Sequence, residues 1–235
     1  MSYLDLKIKP NLDLEIKNYI QNKNCFFIGL DEVGRGSLAG PIIVCACWIK
    51  PMDFDNLPHN IRDSKKLSPK SRLQIYEKTK NMCLSSCAAC SPFEIDKFGL
   101  TIANNLAIHR SLHCLLNKIN YRLKKKKTFC IYIDGNVSPD FSKISLVKNS
   151  LPDLPSNQIN TVVKGDNKIV SVSLASIIAK VTRDNLMQNY CKRYPVYNFK
   201  KNVGYGSKFH LEMIEKHGIC NIHRRSFKPI STTYS

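Results

Sequence analysis

No uninterrupted apolar run in the 235 residues approaches the ~20 needed to cross a bilayer. Met1 to Asn24 is broken by charge too often to serve as a secretory signal, so the expected compartment is the cytoplasm. Internal repeats and low-complexity tracts are also lacking, which excludes a repeat architecture. Acidic residues are scarce: 18 Asp+Glu stand against 36 Lys+Arg, for a formal net charge of +18. Such an excess calls for a polyanionic partner, nucleic acid or an anionic membrane surface, and says nothing about fold. With 43% hydrophobic residues, the chain is long enough for one well-buried core.

Cysteine is plentiful, with 10 residues, and in a chain without a signal peptide these read as reduced thiols rather than a disulfide framework. Cys83, Cys87 and Cys90 have the spacing of an iron–sulfur motif. Their small, apolar, glycine-free surroundings instead suggest a core strand whose thiols act as small hydrophobes. Cys45 and Cys47 fall at strand spacing and read as packing too.

Residues 1–24 are expected to form a short amphipathic helix or a loose N-terminal arm. Strands at 25–31 and 41–49 suggest an antiparallel pair. Ser68-Pro69 starts a helix with Leu73, Tyr76 and Thr79 on one face, and a strand follows at 82–90. Ser91-Pro92-Phe93-Glu94 is a capping box, and Ile102, Leu106, His109, Leu112, Leu116 and Ile119 form a long helical stripe on which His109 and His113 read as packing or surface residues. Lys124 to Lys127 form a basic connection. Thr128 to Ile133 is the clearest later strand, and another lies near 159–163. The small residues of Ser173 to Asp184 would let a helix pack closely on a sheet. Ser207 caps a last helix ending at Gly218, and His223 to Pro229 form a basic tail.

Four acids stand out from this pattern. Asp31 and Glu32 end the first strand, just before Gly34-Arg35-Gly36, Asp134 ends the strand at 128–133, and Asp166 follows the strand near 159–163. Unit charges about 4 Å apart repel by ~4 kcal/mol at an effective dielectric near 20, so such a cluster needs a partner. Oxygen-only ligation suits Mg²⁺ or Mn²⁺ rather than zinc. Glycines beside the acids permit close backbone approach, and Arg35 can fork onto an anionic oxygen. An acidic pocket on a basic surface fits a metal-dependent phosphodiester enzyme better than a passive nucleic-acid binder. Asp184, beside Arg183 in a helical pattern, reads as a structural ion pair.

Several of these segments occur together in one known order. Gly29-Leu30-Asp31-Glu32-Val33-Gly34-Arg35-Gly36, Asp63-Ser64-Lys65-Lys66-Leu67, Asp134-Gly135-Asn136, Lys164-Gly165-Asp166, Ala175 to Asp184, Gly204-Tyr205 and His223-Arg224-Arg225-Ser226-Phe227 closely resemble the ribonuclease HII family over roughly residues 25–230. The resemblance implies an α/β, ribonuclease H-like mixed sheet of about five strands flanked by helices. It divides the chain into an arm at 1–24, a catalytic domain at 25–205 and a helical C-terminal extension at 206–235 packed on it. It implies Asp31, Glu32, Asp134 and Asp166 as catalytic, metal-binding acids for Mn²⁺ or Mg²⁺. Gly34, Arg35, Gly36 and Tyr205 are the implied substrate contacts, Tyr205 sensing the RNA–DNA junction. The implied activity is hydrolysis of RNA in RNA–DNA hybrids and cleavage on the 5′ side of ribonucleotides embedded in duplex DNA, leaving a 5′-phosphate. The expected state is a monomer. One departure is Val203, where the family usually has a lysine; Lys200 or Lys201 is the nearby charge. The alternatives are a general hybrid nuclease without junction preference and a non-catalytic basic nucleic-acid-binding protein.

Overall fold

The structure is a computed structural model that describes residues 9–123, 128–145 and 159–233; the basic run Lys124 to Lys127 lies outside them. The elements, in order, are α1 (Asp13–Gln21), β1 (Cys25–Val33), β2 (Ile42–Ile49), α2 (Pro69–Thr79), β3 (Cys83–Cys90), α3 (Pro92–Phe98), α4 (Leu100–Leu123) and β4 (Thr128–Asp134). They continue with α5 (Ser142–Ser145), β5 (Ile159–Val162), α6 (Val170–Arg193), α7 (Phe199–Asn202), α8 (Lys208–His217) and α9 (Ile230–Thr233). The strands form one mixed sheet in the order β3-β2-β1-β4-β5, antiparallel between β1, β2 and β3 and parallel between β1, β4 and β5. Among the described residues, no helix is long and apolar enough to cross a membrane.

Alternation along the strands splits the core into two layers. On one face Ile28, Leu30, Ile42, Val44 and Ile131 pack against Leu106, Leu112, Leu115 and Ile119 of α4. On the other, Cys45, Cys47 and Ile49 pack against Leu174, Ala175, Ile178 and Ala179 of α6. The small residues of α6 let it lie unusually close to β1: a Cβ at Gly29 would sit 2.4 Å from the Ser171 carbonyl carbon. The capping box at Ser91 is present, its hydroxyl accepting from the Glu94 N–H while Glu94 accepts from the Ser91 N–H. His109 is buried on the α4 stripe, edge-on to Phe141.

Four expectations change in the folded chain. β1 runs two residues beyond Asp31, to Val33, because the antiparallel ladder with β2 continues through Val33–Ile43. The buried face of α2 is Arg72, Ile75 and Thr79, with Leu73 exposed; the helix is rotated by Arg72, whose guanidinium donates inward to the carbonyls of Ser64 (2.9 Å) and Leu67 (2.7 Å). β3 is an edge strand rather than a core strand. Its Cys83 and Cys90 bury into opposite layers while Cys87 is exposed, so the three cannot converge on one cluster. Finally, α8 is followed by the single turn of α9.

Within residues 1–24, α1 docks through one carboxylate. Glu15 is buried and accepts from the Ser171 N–H at 2.9 Å, placing negative charge at the N-terminus of the 24-residue α6. Burial raises its pKa, and the hydrogen bonds to it oppose that rise.

Candidate active site

Parallel pairing of β1 and β4 runs to Leu30–Ile133, so Asp31 and Asp134 follow side by side at the carboxyl ends of adjacent strands. Asp166 enters from the turn after β5, a 3₁₀ segment Gly165–Asn167 whose first N–H, that of Gly165, donates to Asp134 Oδ1 at 2.7 Å. One carboxylate oxygen from each of Asp31, Asp134 and Asp166 lies within 4.8 Å of the others. Glu32 stands outside this trio. Strand alternation turns it away from Asp31, and it meets Arg35 Nη1 at 3.6 Å.

The electrostatics follow from that geometry. Burial, then the charges of Glu32 and Asp134, hold the Asp31 carboxyl well above the usual carboxylate range, against a hydrogen bond from Ser176. Asp166 is raised by burial and by Asp134 and Asp63, Glu32 by burial and Asp134, with Arg35 opposing. These acids repel because nothing near them neutralises them fully. The donor set is oxygen-only, partly dehydrated and pre-clustered, which fits a hard divalent cation such as Mg²⁺ or Mn²⁺.

Two further residues belong to this site though sequence reasoning gave them no role. Ser176 of α6 bonds Asp31 and lies 2.9 Å from the Ser64 hydroxyl, joining the acids to the Asp63–Leu67 segment. Lys65 of that segment, despite partial burial that disfavours its charge, is raised by Asp31, Asp63, Asp166 and Asp134. Both residues sit in short segments visible in the sequence, Asp63-Ser64-Lys65-Lys66-Leu67 and Ala175 to Asp184, but without a known partner neither could be given a role. Asp184 is an ion-pair residue, 2.7 Å from Lys180 and 3.5 Å from Arg72.

The Gly34–Gly36 loop lies beside the acids and is fastened by two arginines from far along the chain. Arg224 is fully buried and donates to the carbonyls of Gly34 (2.6 Å), Arg35 (2.8 Å) and Gly40 (3.0 Å). Arg183, also fully buried, donates to the carbonyls of Pro41, Ala39 and Val203 and to Ser37, whose hydroxyl in turn donates to Gly34. Gly34 has φ +86°, and a Cβ there would strike Arg183 Nε at 2.2 Å. At Gly36 a Cβ would meet nothing within 4 Å, leaving that side of the loop open to a ligand.

Tyr205 is 39% exposed, with its ring 5.7 Å from the Arg183 guanidinium carbon. Its neighbour Gly204 accepts from the N–H groups of Leu38 and Ala39, tying the tyrosine to the same loop. A histidine relay fixes its other side. The Cys220 N–H donates to His223 Nδ1 (2.9 Å), which leaves His223 Nε2 as donor to His210 Nε2 (3.1 Å) and His210 Nδ1 as donor to the Tyr205 carbonyl (2.8 Å). Val203 adopts φ +43° and offers its carbonyl to Arg183; Lys200 and Lys201 are exposed on α7.

Known proteins share this fold and much of this sequence. The family model described as Ribonuclease HII matches residues 28–230. A ribonuclease HII from Ehrlichia chaffeensis is 40% identical over 221 residues, 94% of each chain. The crystal structure of ribonuclease H2 from Pyrococcus horikoshii superposes with a TM-score of 0.67 at 26% identity, covering 88% of this chain and 96% of that one. A structure of Bst-RNase HIII in complex with Mn²⁺ shares the fold at a TM-score of 0.71 and 19% identity, over 88% of this chain and 68% of that one. With the sheet order, the clustered acids and a match that spans nearly the whole described chain, the protein belongs to the ribonuclease HII family of endoribonucleases.

Proposed function

We propose that this protein hydrolyses the RNA strand of RNA–DNA hybrids and cuts on the 5′ side of single ribonucleotides embedded in duplex DNA. The convergence of Asp31, Asp134 and Asp166 within 4.8 Å carries this reading, because a basic protein that only bound nucleic acid would gain nothing from a buried acidic cluster facing a polyanion. Asp31, Asp134 and Asp166 would hold Mn²⁺ or Mg²⁺, with Glu32 beside them. When bound, such a cation supplies positive charge against the phosphoryl group and acidifies water. The Mn²⁺ of the Bst-RNase HIII complex accords with the donor set.

The chain's own residues supply positioning. Because Arg224 occupies the carbonyls of Gly34 and Arg35, that loop has its N–H groups and the half-exposed Arg35 side chain left to offer a phosphate or a 2′-hydroxyl. Tyr205 stacks on the next, deoxy sugar and disfavours a second 2′-hydroxyl. Ser176 orients Asp31, and Lys65 offsets the repulsion among the acids when no cation is bound. The enzyme acts as a cytoplasmic monomer on RNA–DNA hybrid and ribonucleotide-containing DNA, in keeping with its charge of +18.

The test is cleavage of a duplex carrying one ribonucleotide, and of a continuous hybrid, with Mn²⁺ or Mg²⁺ supplied in turn. Cutting of both, with a 5′-phosphate at the ribonucleotide, is expected. Cutting of the hybrid alone would leave the general hybrid nuclease, and binding without scission in either metal would overturn the catalytic reading.

A further inference from the structure

β2 and β3 place a row of thiols on the face turned toward α6. Cys45 and Cys87 are directly opposed in the antiparallel register, Cys45 fully buried and Cys87 exposed on the edge strand. Directly opposed residues hold their Cβ atoms about 4.5–5.5 Å apart and a disulfide needs about 3.5–4.5 Å, so closure takes a shift of about 1 Å or less. The Cys45 thiol donates to the Ala46 carbonyl at 3.6 Å and interacts with the Cys87 sulfur beside it, while Thr182 Oγ1 of α6 lies 3.6 Å from Cys87 Sγ. These contacts lower the Cys87 thiol, while burial holds Cys45 well up. The more readily ionised sulfur is therefore the accessible one, with a second thiol behind it. Cys45 is in turn paired in register with Asp31 across β1 and β2, so Asp31, Cys45 and Cys87 form one row across three strands.

We propose that Cys87 and Cys45 are a redox-reversible thiol pair whose disulfide slows the site at Asp31; the second half rests on the reading of Asp31 as a catalytic acid. The co-reactant is a hydroperoxide. The Cys87 thiolate attacks the distal peroxide oxygen, the O–O bond breaks, and water or an alcohol leaves after taking a proton, so that sulfur is oxidised and peroxide reduced. The Cys45 sulfur then attacks the Cys87 sulfenic acid; the S–S bond forms, the S–O bond breaks, and hydroxide leaves as water with the Cys45 proton. A dithiol reverses the bond. In the reduced state the pair has no part in catalysis, so Cys87→Ser protein should cut like the wild type. In the oxidised state β2 is drawn toward the edge strand, and the residue opposite Asp31 moves with it.

The experiment treats reduced, metal-stripped protein with hydrogen peroxide, removes the oxidant with catalase, and divides the sample. One part is peptide-mapped without reductant and the other assayed with Mn²⁺ on the single-ribonucleotide duplex. The expected result is a peptide joining Cys45 to Cys87, a several-fold loss of rate restored by dithiothreitol, and Cys87→Ser protein whose rate survives peroxide. Cys114→Ser, at another exposed cysteine, should behave as wild type. Absence of the Cys45–Cys87 peptide, an unchanged rate despite it, or equal inactivation of Cys87→Ser would each overturn the proposal. Failure of the untreated, reduced protein to cut would instead count against the catalytic reading, and the peptide map would still decide whether the pair forms.

Discussion

Asp31 and Asp134 reach the site on neighbouring parallel strands of one sheet, whereas the Gly34–Gly36 loop beside them is fastened by Arg183 and Arg224, up to 190 positions further along the chain. The acids repel one another and destabilise the ground state they sit in. The arginines satisfy buried carbonyls and stabilise theirs. In one region charge is kept at a cost to the fold, as the proposed metal site requires; in the other charge serves the fold and leaves the loop's N–H groups for the proposed substrate contacts. Substitutions in the two regions should therefore fail differently.

The largest expected effect is on the acid side. Asp134→Asn removes a charge with almost no change in volume, so thermal stability should hold or rise while metal-dependent cleavage falls by orders of magnitude and hybrid binding persists. An Asp134→Asn enzyme cutting near the wild-type rate would remove Asp134 from the site. Arg224→Met is the converse. It leaves the carbonyls of Gly34, Arg35 and Gly40 buried without their donor, at a cost on the order of 3–5 kcal/mol read in denaturant melts. If Arg224→Met melts like the wild type, the clamp does not carry the loop.

Tyr205→Ala probes the border between the regions. Fold and metal binding should survive, with cleavage of a single embedded ribonucleotide reduced about tenfold, ~1.4 kcal/mol in the barrier, and cleavage of a continuous hybrid reduced less. Equal losses on both substrates would end the junction-sensing role.

Protons give the smallest and most diagnostic effect, because they act on the two regions with opposite sign. Asp31 and Asp166 have raised pKa values, chiefly from burial, so the stability they contribute is present at low pH and lost as pH rises through the folded values. Stabilisation by added Mn²⁺ should accordingly shrink as pH falls, since proton and cation compete for the same oxygens. His223 is lowered from 6.5 to about 4 by burial and by His210. The unfolded chain binds that proton more readily, so this stability is lost as pH falls from about 6.5 toward 4. Melting temperatures of wild type and His223→Gln across that window should converge at the acid end; parallel curves would show that the relay does not titrate with unfolding.

The same contrast explains what could be read in advance. Acids that close apolar, β-branched runs are visible in a sequence because the strand pattern and the misplaced charge are both local. Which three of the four meet is not visible there, since that depends on the pairing of β1 with β4 and on the turn carrying Asp166. Arg183 and Arg224 are legible only as members of motifs without a role, because their partners are main-chain carbonyls, which leave no trace in residue identity. For the same reason the face of α2 is displaced from its expected position: Arg72 looks like a surface residue until the carbonyls of Ser64 and Leu67 are brought under it. The edge position of β3 is hidden because small buried-looking cysteines do not reveal how many neighbours a strand has.

The distance between Arg224 and the loop it closes also has a meaning in time. A ribosome adding about 5–20 residues per second reaches Arg224 some 10–40 s after it has made Gly34 and Arg35. β4 is complete about halfway through that interval; from then on the strands bearing Asp31 and Asp134 can pair, yet the loop that would seat a nucleic-acid backbone still lacks its Arg224 clamp. On the proposed reading of that loop, a nuclease assembled in this order would stay unfinished while tethered beside the messenger that encodes it, and would gain its grip on nucleic acid only once Arg224 is in place.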